Sequence, residues 1–272
     1  ENTTIADTVE YTNLNKGAEY TLKGILMNKE SGEPVTDEKG DPITSEKTFT
    51  PKKVNGTVEM EFTFDSRKLS GADVVVFEEL YLNGSLIAEH RDITDEDQTI
   101  HFPKIETKVM VKETKSNIAK ADKEITLVDT VSYKNLQPGK KYKLTGTLMD
   151  KETGEPVKDP EGEEVTAKTS FKPETADGTV NVTFTFDGSN LAGKTLVVFE
   201  NLERNDTVYA VHTDIHDEAQ TIYFPEIGTT VKDAVSGTQF SAAGQVSLVD
   251  TVSYNNLTPK TEYALKGILM DQ

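Results

Sequence analysis

The feature that most constrains this 272-residue chain is a long internal repeat. Asp7-Thr8-Val9-Glu10-Tyr11 returns as Asp129-Thr130-Val131-Ser132-Tyr133 and again as Asp250-Thr251-Val252-Ser253-Tyr254, at offsets of 122 (7 to 129) and 121 (129 to 250). Gly24-Ile25-Leu26-Met27 returns at Gly146-Thr147-Leu148-Met149 and at Gly267-Ile268-Leu269-Met270. Val75-Val76-Phe77-Glu78 matches Val197-Val198-Phe199-Glu200, and Gln98-Thr99-Ile100 matches Gln220-Thr221-Ile222. A period this long exceeds that of solenoid repeats and predicts tandem globular domains. The phase divides the chain into 1–104, 105–226 and 227–272. The middle repeat is complete. The first lacks the counterpart of Ile105 to about Asp122, and the third is a leading fragment. Together with the absence of an initiator Met, this phase is read as a processed or excised segment of a longer array.

Composition narrows the function. The net charge of −18 repels nucleic acid and anionic lipid, so neither is an expected partner. With no Cys, disulfide and thiolate chemistry are excluded. No apolar run approaches the roughly 20 residues of a membrane-spanning helix, and no secretory leader stands at Glu1.

Alternation of apolar and polar residues is clear. Val58, Met60, Phe62 and Phe64 share one parity, as do Val180, Val182, Phe184 and Phe186. That period of two marks half-buried strands. Turn signals such as Gln137-Pro138-Gly139 and Asp177-Gly178 punctuate them. No long 3.6-residue period occurs. The expected class is all-β, with tandem Ig-like sandwiches of about seven strands per repeat.

The same parity aims polar groups inward. Thr107 runs with Ile105, Val109 and Val111; Asp129 with Val131 and Tyr133; Gln220 with Ile222 and Phe224 on a closing strand. Glu200 ends an apolar run. Asp7 with Val9 and Tyr11, Gln98 with Ile100 and Phe102, and Thr229 with Ile227 and Val231 repeat the pattern. His90 and His212 each stand eight residues before the repeated Gln. Burying Asp and Glu costs several kcal/mol unless they are paired or protonated, so a use for them is required.

Thr, His, Asp, Glu and Gln hold the parts of an acyl-transfer site. A hydroxyl is the nucleophile and His the base, with a carboxylate orienting it. A protonated carboxyl can stabilise an oxyanion on the Gln amide. The product is a Thr–Gln ester, with ammonia released.

The motifs Asp129–Leu136, Leu144–Asp150, Val197–Glu200 and His212–Ile222 make the chain resemble the VaFE-type repeat domains of Gram-positive surface adhesins, relatives of Cna-B-like modules that form an intramolecular Thr–Gln ester. The resemblance implies a Cna-B-like β-sandwich with Thr107 and Gln220 as crosslink partners. It also implies Asp129 and Glu200 as the carboxyl pair and His212 as a proton-transfer aid. In the first repeat it marks a half-site of Asp7, Glu78, His90 and Gln98; in the third, Thr229 and Asp250. The implied function is a structural stalk segment of a cell-wall-anchored surface protein, and the implied reaction is single-turnover, so the chain is not an ordinary enzyme.

No cofactor and no metal is expected. A cation site at His212, Asp214, His216 and Asp217 is a weaker reading, since His216 has no counterpart in the first repeat. A Lys–Asn isopeptide through Lys108 suffers from its outward parity. A ligand-binding adhesin module and an uncrosslinked spacer are the rival functions. Expected partners are neighbouring repeat domains and a host ligand of unknown identity. Head-to-tail self-association is a further expectation, with Thr229 of one copy meeting Gln98 of another.

Overall fold

A computed structural model describes residues 2–271; the outermost limits of the expected repeats, Glu1 and Gln272, lie outside the described residues. The chain forms two compact units. One runs up to Ile105 and includes Tyr133–Lys140 and Lys172–Gly178; the other holds Glu106–Ser132, Lys141–Phe171 and the chain from Thr179 onward.

The first repeat carries β1 (Asn2–Tyr11), β2 (Tyr20–Asn28), β3 (Thr44–Phe49), β4 (Gly56–Asp65), β5 (Asp73–Leu82), β6 (Ser85–His90) and β7 (Thr99–His101). β1 pairs with β4 in one sheet; the other has the order β3-β2-β5-β6, with β7 also on β5. The second repeat carries β8 (Lys104–Val111), β9 (Ile125–Lys134), β10 (Tyr142–Asp150), β11 (Thr166–Phe171), β12 (Gly178–Phe186), β13 (Thr195–Arg204), β14 (Thr207–His212) and β15 (Thr221–Tyr223). Its sheets are β12-β9-β8 and β11-β10-β13-β14, with β15 on β13. The two repeats thus share one topology, and the second has a strand, β8, beside the counterpart of β1. Among the described residues no helix is long and apolar enough to cross a membrane, which says nothing of β-barrels.

Local chemistry accounts for these elements. In β4 the alternation buries Val58, Met60, Phe62 and Phe64 and exposes the residues between them. Those four side chains, with Ile5 from β1, meet Leu22, Leu26, Val74 and Val76 of the facing sheet in one core. Each fully buried aromatic or aliphatic side chain contributes about 1.5–3 kcal/mol. The β5–β6 hairpin closes on Asn83-Gly84, both with positive φ (49° and 78°). That is the backbone a two-residue primed turn requires. The β13–β14 hairpin uses Asn205-Asp206 in the same way, at 49° and 61°.

The third fragment departs from expectation. β16 (Glu226–Asp233) and β17 (Leu248–Asn255) form a two-stranded hairpin. Thr229 and Asp250, expected to face inward, are both exposed, as are Ile227 and Val231. Alternation supplies an apolar face, but burial needs a second layer to cover it, and a lone hairpin has none. Gly267–Met270, although a repeat of a buried strand, adopts no strand.

Phe62 is 1% exposed in the first repeat. Phe62→Ala is expected to lower stability by about 3–5 kcal/mol in denaturant unfolding. Leu86→Ala, on the exposed strand β6, is expected to change it by less than about 1 kcal/mol.

Candidate functional site

The site is assembled in the second repeat from four elements. In β8, alternation buries Thr107 with Ile105, Val109 and Val111 and leaves Lys108 exposed. In β9 the same rule buries Asp129 between Leu127 and Val131. Glu200 lies on β13, completely buried. Its cross-strand neighbour on β10 is Gly146. A Cβ at Gly146 would fall 2.5 Å from Glu200 Oε1 and 2.5 Å from Phe184 Cζ. Glycine at 146 therefore leaves room for both the Glu200 carboxyl and the Phe184 ring; at Gly24, its counterpart in the first repeat, a Cβ would meet the Phe62 ring at 2.6 Å.

Gln220 is also fully buried, but it is not on the closing strand as parity implied. It ends a 3-10 turn, Glu218–Gln220, immediately before β15. The Asp217 carboxylate caps that turn, accepting from Ala219 N at 2.8 Å. An aspartate cap offers the backbone an alternative to the sheet ladder, and alternation alone does not register it.

These elements bring the reacting groups together. Gln220 Nε2 donates to Thr107 Oγ1 and, at 3.1 Å, to Asp129 Oδ1. Gln220 Oε1, Asp129 Oδ2 and both Glu200 oxygens are buried without a hydrogen-bond partner. Burial first, then the neighbouring Asp129 carboxyl, pushes Glu200 far above the usual carboxylate range. Burial raises Asp129 as well, against the pull of Glu200, the Gln220 amide and His212. Two carboxyls in a dry core cannot both ionise, and a proton held on Glu200 supplies the donor that the unpartnered oxygens lack.

His212, half-buried at the end of β14, bonds through Nε2 to Asp217 Oδ2 at 2.7 Å. Asp217 thus joins the imidazole to the turn that carries Gln220. Residue types and spacing suggest Asp217 only as a metal ligand. The repeat carries the missing signal: His, Asp and Gln recur with the same spacing at His90, Asp95, Gln98 and at His212, Asp217, Gln220. Among the described residues no group of three or more His, Cys, Asp or Glu is arranged to hold a metal.

The first repeat holds most of the same constellation. Asp7 and Glu78 are buried. Glu78 is pushed up to about 9, by burial first and by Asp7 second. His90 bridges Glu78 Oε2 at 3.5 Å and Asp95 Oδ2 at 3.2 Å. Gln98 is half-buried. A groove of about 410 Å³ lined by Val9, Tyr11, Leu22, Glu78 and His90 opens there, and no counterpart of Thr107 is present among the described residues. Thr229 and Asp250 of the third fragment lie on an exposed hairpin, so no site is assembled around them.

The second repeat is thus a β-sandwich that brings together a buried hydroxyl, a buried carboxamide and two buried acids, with an imidazole paired across the ladder from Glu200. The T-Q ester bond containing domain family matches residues 1–102, 103–224 and 225–272, and the chain belongs to that family. Among curated proteins no match is found. Among solved structures, a bacterial adhesin from Mobiluncus mulieris containing intramolecular disulfide, isopeptide and ester bond cross-links is 17% identical. The match covers 56% of this chain and 75% of that one, at a TM-score of 0.35. A putative β-galactosidase from Bacteroides fragilis is 11% identical over 78% of this chain and 32% of its own, at 0.31. Likenesses this distant carry no activity to this chain.

Glu78 gives a pH dependence with a definite sign. Its proton is retained in the fold up to about 9, whereas the unfolded chain releases it near the ordinary Glu value. Between those limits the unfolded state binds fewer protons, so stability of the first repeat is expected to fall as pH rises. Glu78→Gln is expected to flatten the slope, read from denaturation midpoints between about pH 4.5 and pH 9.

Proposed function

We propose that this chain is a structural segment of a bacterial surface adhesin, and that its second repeat closes on itself through a Thr107–Gln220 ester. The observation that carries this reading is the buried contact of the Gln220 carboxamide with Thr107 Oγ1 beside Asp129.

The chemistry balances without a cofactor. Thr107 Oγ1 attacks Cδ of Gln220 and gives up its proton to the Asp129 carboxylate. The developing oxyanion on Oε1 takes a hydrogen bond from protonated Glu200. Asp129, 3.1 Å from Nε2, returns the proton to that nitrogen as the C–N bond breaks, and ammonia leaves. One C–O bond forms, one C–N bond breaks, and no water is consumed. His212 assists proton transfer, and Asp217 holds it against the Gln220 turn. Enclosure in one fold replaces a bimolecular encounter and excludes the water that would hydrolyse the ester.

The bond suits a stalk. It joins the opening strand β8 to the turn before β15, 113 residues apart in sequence. By the chain-entropy account of crosslinks, closing a loop of that length is worth about 4–5 kcal/mol. Tension applied through the ends of the repeat then passes through a covalent link instead of unzipping the sheet. A chain without Cys gains this without disulfide chemistry. Cell-wall anchorage in a Gram-positive parent and attachment to neighbouring repeats belong to the same reading.

Intact mass tests it. The folded chain is expected to weigh less than its sequence by one ammonia. Thr107→Ala and Gln220→Ala are each expected to restore the full mass. Full mass in the unsubstituted protein contradicts the reading.

A further inference from the structure

The carboxamide hangs from a single 3-10 turn, and residues 213–217, which join that turn to β14, form no strand or helix. Something outside the turn must hold it. Lys151, at the start of the β10–β11 connection, reaches across. Its Nζ donates to Glu218 Oε1 at 2.8 Å and to Thr221 Oγ1 at 3.1 Å, the residues on either side of Ala219-Gln220. Thr221 Oγ1 in turn donates to Asp217 O at 2.7 Å. The base of the clamp is fixed: Lys151 N donates to Thr195 O at 2.9 Å, on β13, the strand that bears Glu200. From the other side Tyr223 OH donates to Glu218 Oε2 at 2.5 Å. Lys151 first, then Tyr223, holds the Glu218 carboxyl below the usual range.

The first repeat builds the same clamp. Lys29 Nζ donates to Glu96 Oε1 at 2.6 Å and Thr99 Oγ1 at 3.1 Å, and Lys29 N donates to Asp73 O at 2.9 Å. Both lysine side chains are about four-fifths buried, at 21% and 20% exposure. Lysines normally keep their ammonium in water, so this placement calls for a cause. Global stability is a poor one. The Glu partner is about 70% exposed in each repeat, and such pairs add little.

We propose that Lys151 is a positioning residue for ester formation. It pins the Gln220 turn to β13 so that the carboxamide stays against the Thr107 hydroxyl while the bond forms. Lys151 touches neither reacting group. It acts through Glu218, Thr221 and, by Thr221, the Asp217 carbonyl. The inference rests on the ester reading above. It adds a side chain from outside the Thr, Gln, acid and imidazole set, and its physical basis is that small misplacements of a reacting atom cost large factors in rate.

The test follows the ammonia deficit by intact mass at fixed times after a pulse of cell-free synthesis. Lys151→Met is expected to crosslink about 10- to 100-fold more slowly than the unsubstituted chain. Lys151→Arg, which can still meet Glu218, is expected to stay within about threefold. In a Thr107→Ala background, which cannot crosslink, adding Lys151→Met is expected to move the thermal midpoint by less than about 3 °C. Crosslinking of Lys151→Met at the unsubstituted rate overturns the clamp. So does an Arg variant as slow as the Met variant, or a large fall in the Thr107→Ala midpoint, which would make the effect structural. An unsubstituted chain that never loses ammonia removes the ester reading and the clamp together. One that crosslinks no faster than Lys151→Met removes the clamp alone.

Discussion

The second repeat turns on a proton held between two buried acids. Asp129 and Glu200 are both fully enclosed, and an interior of low polarity does not tolerate two adjacent carboxylates. The protein does not relieve this with a lysine or arginine. It leaves Glu200 oxygens without partners, keeps a proton there by burial, and sets a carboxamide and a hydroxyl beside the pair. Stability alone would favour apolar side chains of similar volume at such positions. Keeping two acids there fits the ester reaction proposed above.

The architecture follows from that need. A sandwich offers two sheets whose inner faces meet, so groups from β8, β9, β13 and the turn before β15 reach one place from both layers. At Gly146 on β10 a Cβ would collide with the Glu200 carboxyl, and glycine avoids it. The first repeat keeps much of this framework, with Gly24 opposite Glu78 and His90 bridging Glu78 and Asp95.

Much of this was legible in the sequence. Strict alternation in β4, β8, β9 and β12 named the buried residues, Thr107 and Asp129 included, because in a strand between two environments side chains obey a period of two. The 122-residue offset placed Glu200, His212 and Gln220 in phase with their counterparts. Two things were not legible. Gln220 sits on a capped turn, since the Asp217 carboxylate satisfies a backbone donor locally and ends the ladder pattern there. Thr229 and Asp250 are exposed, because parity names a face without saying what covers it.

Lys151 and Asp217 mark the other limit of pattern reading. Both are charged residues in loops or turns, where no period exists, and their roles depend on distances that only the folded chain sets.

The central claim is a covalent bond between Thr107 and Gln220, and peptide mapping of the protease-digested protein reads it directly. The account requires a branched peptide joining the segments that carry these two residues, split by alkaline hydroxylamine as an ester is. Recovery of both segments in full as separate, unmodified linear peptides would contradict it.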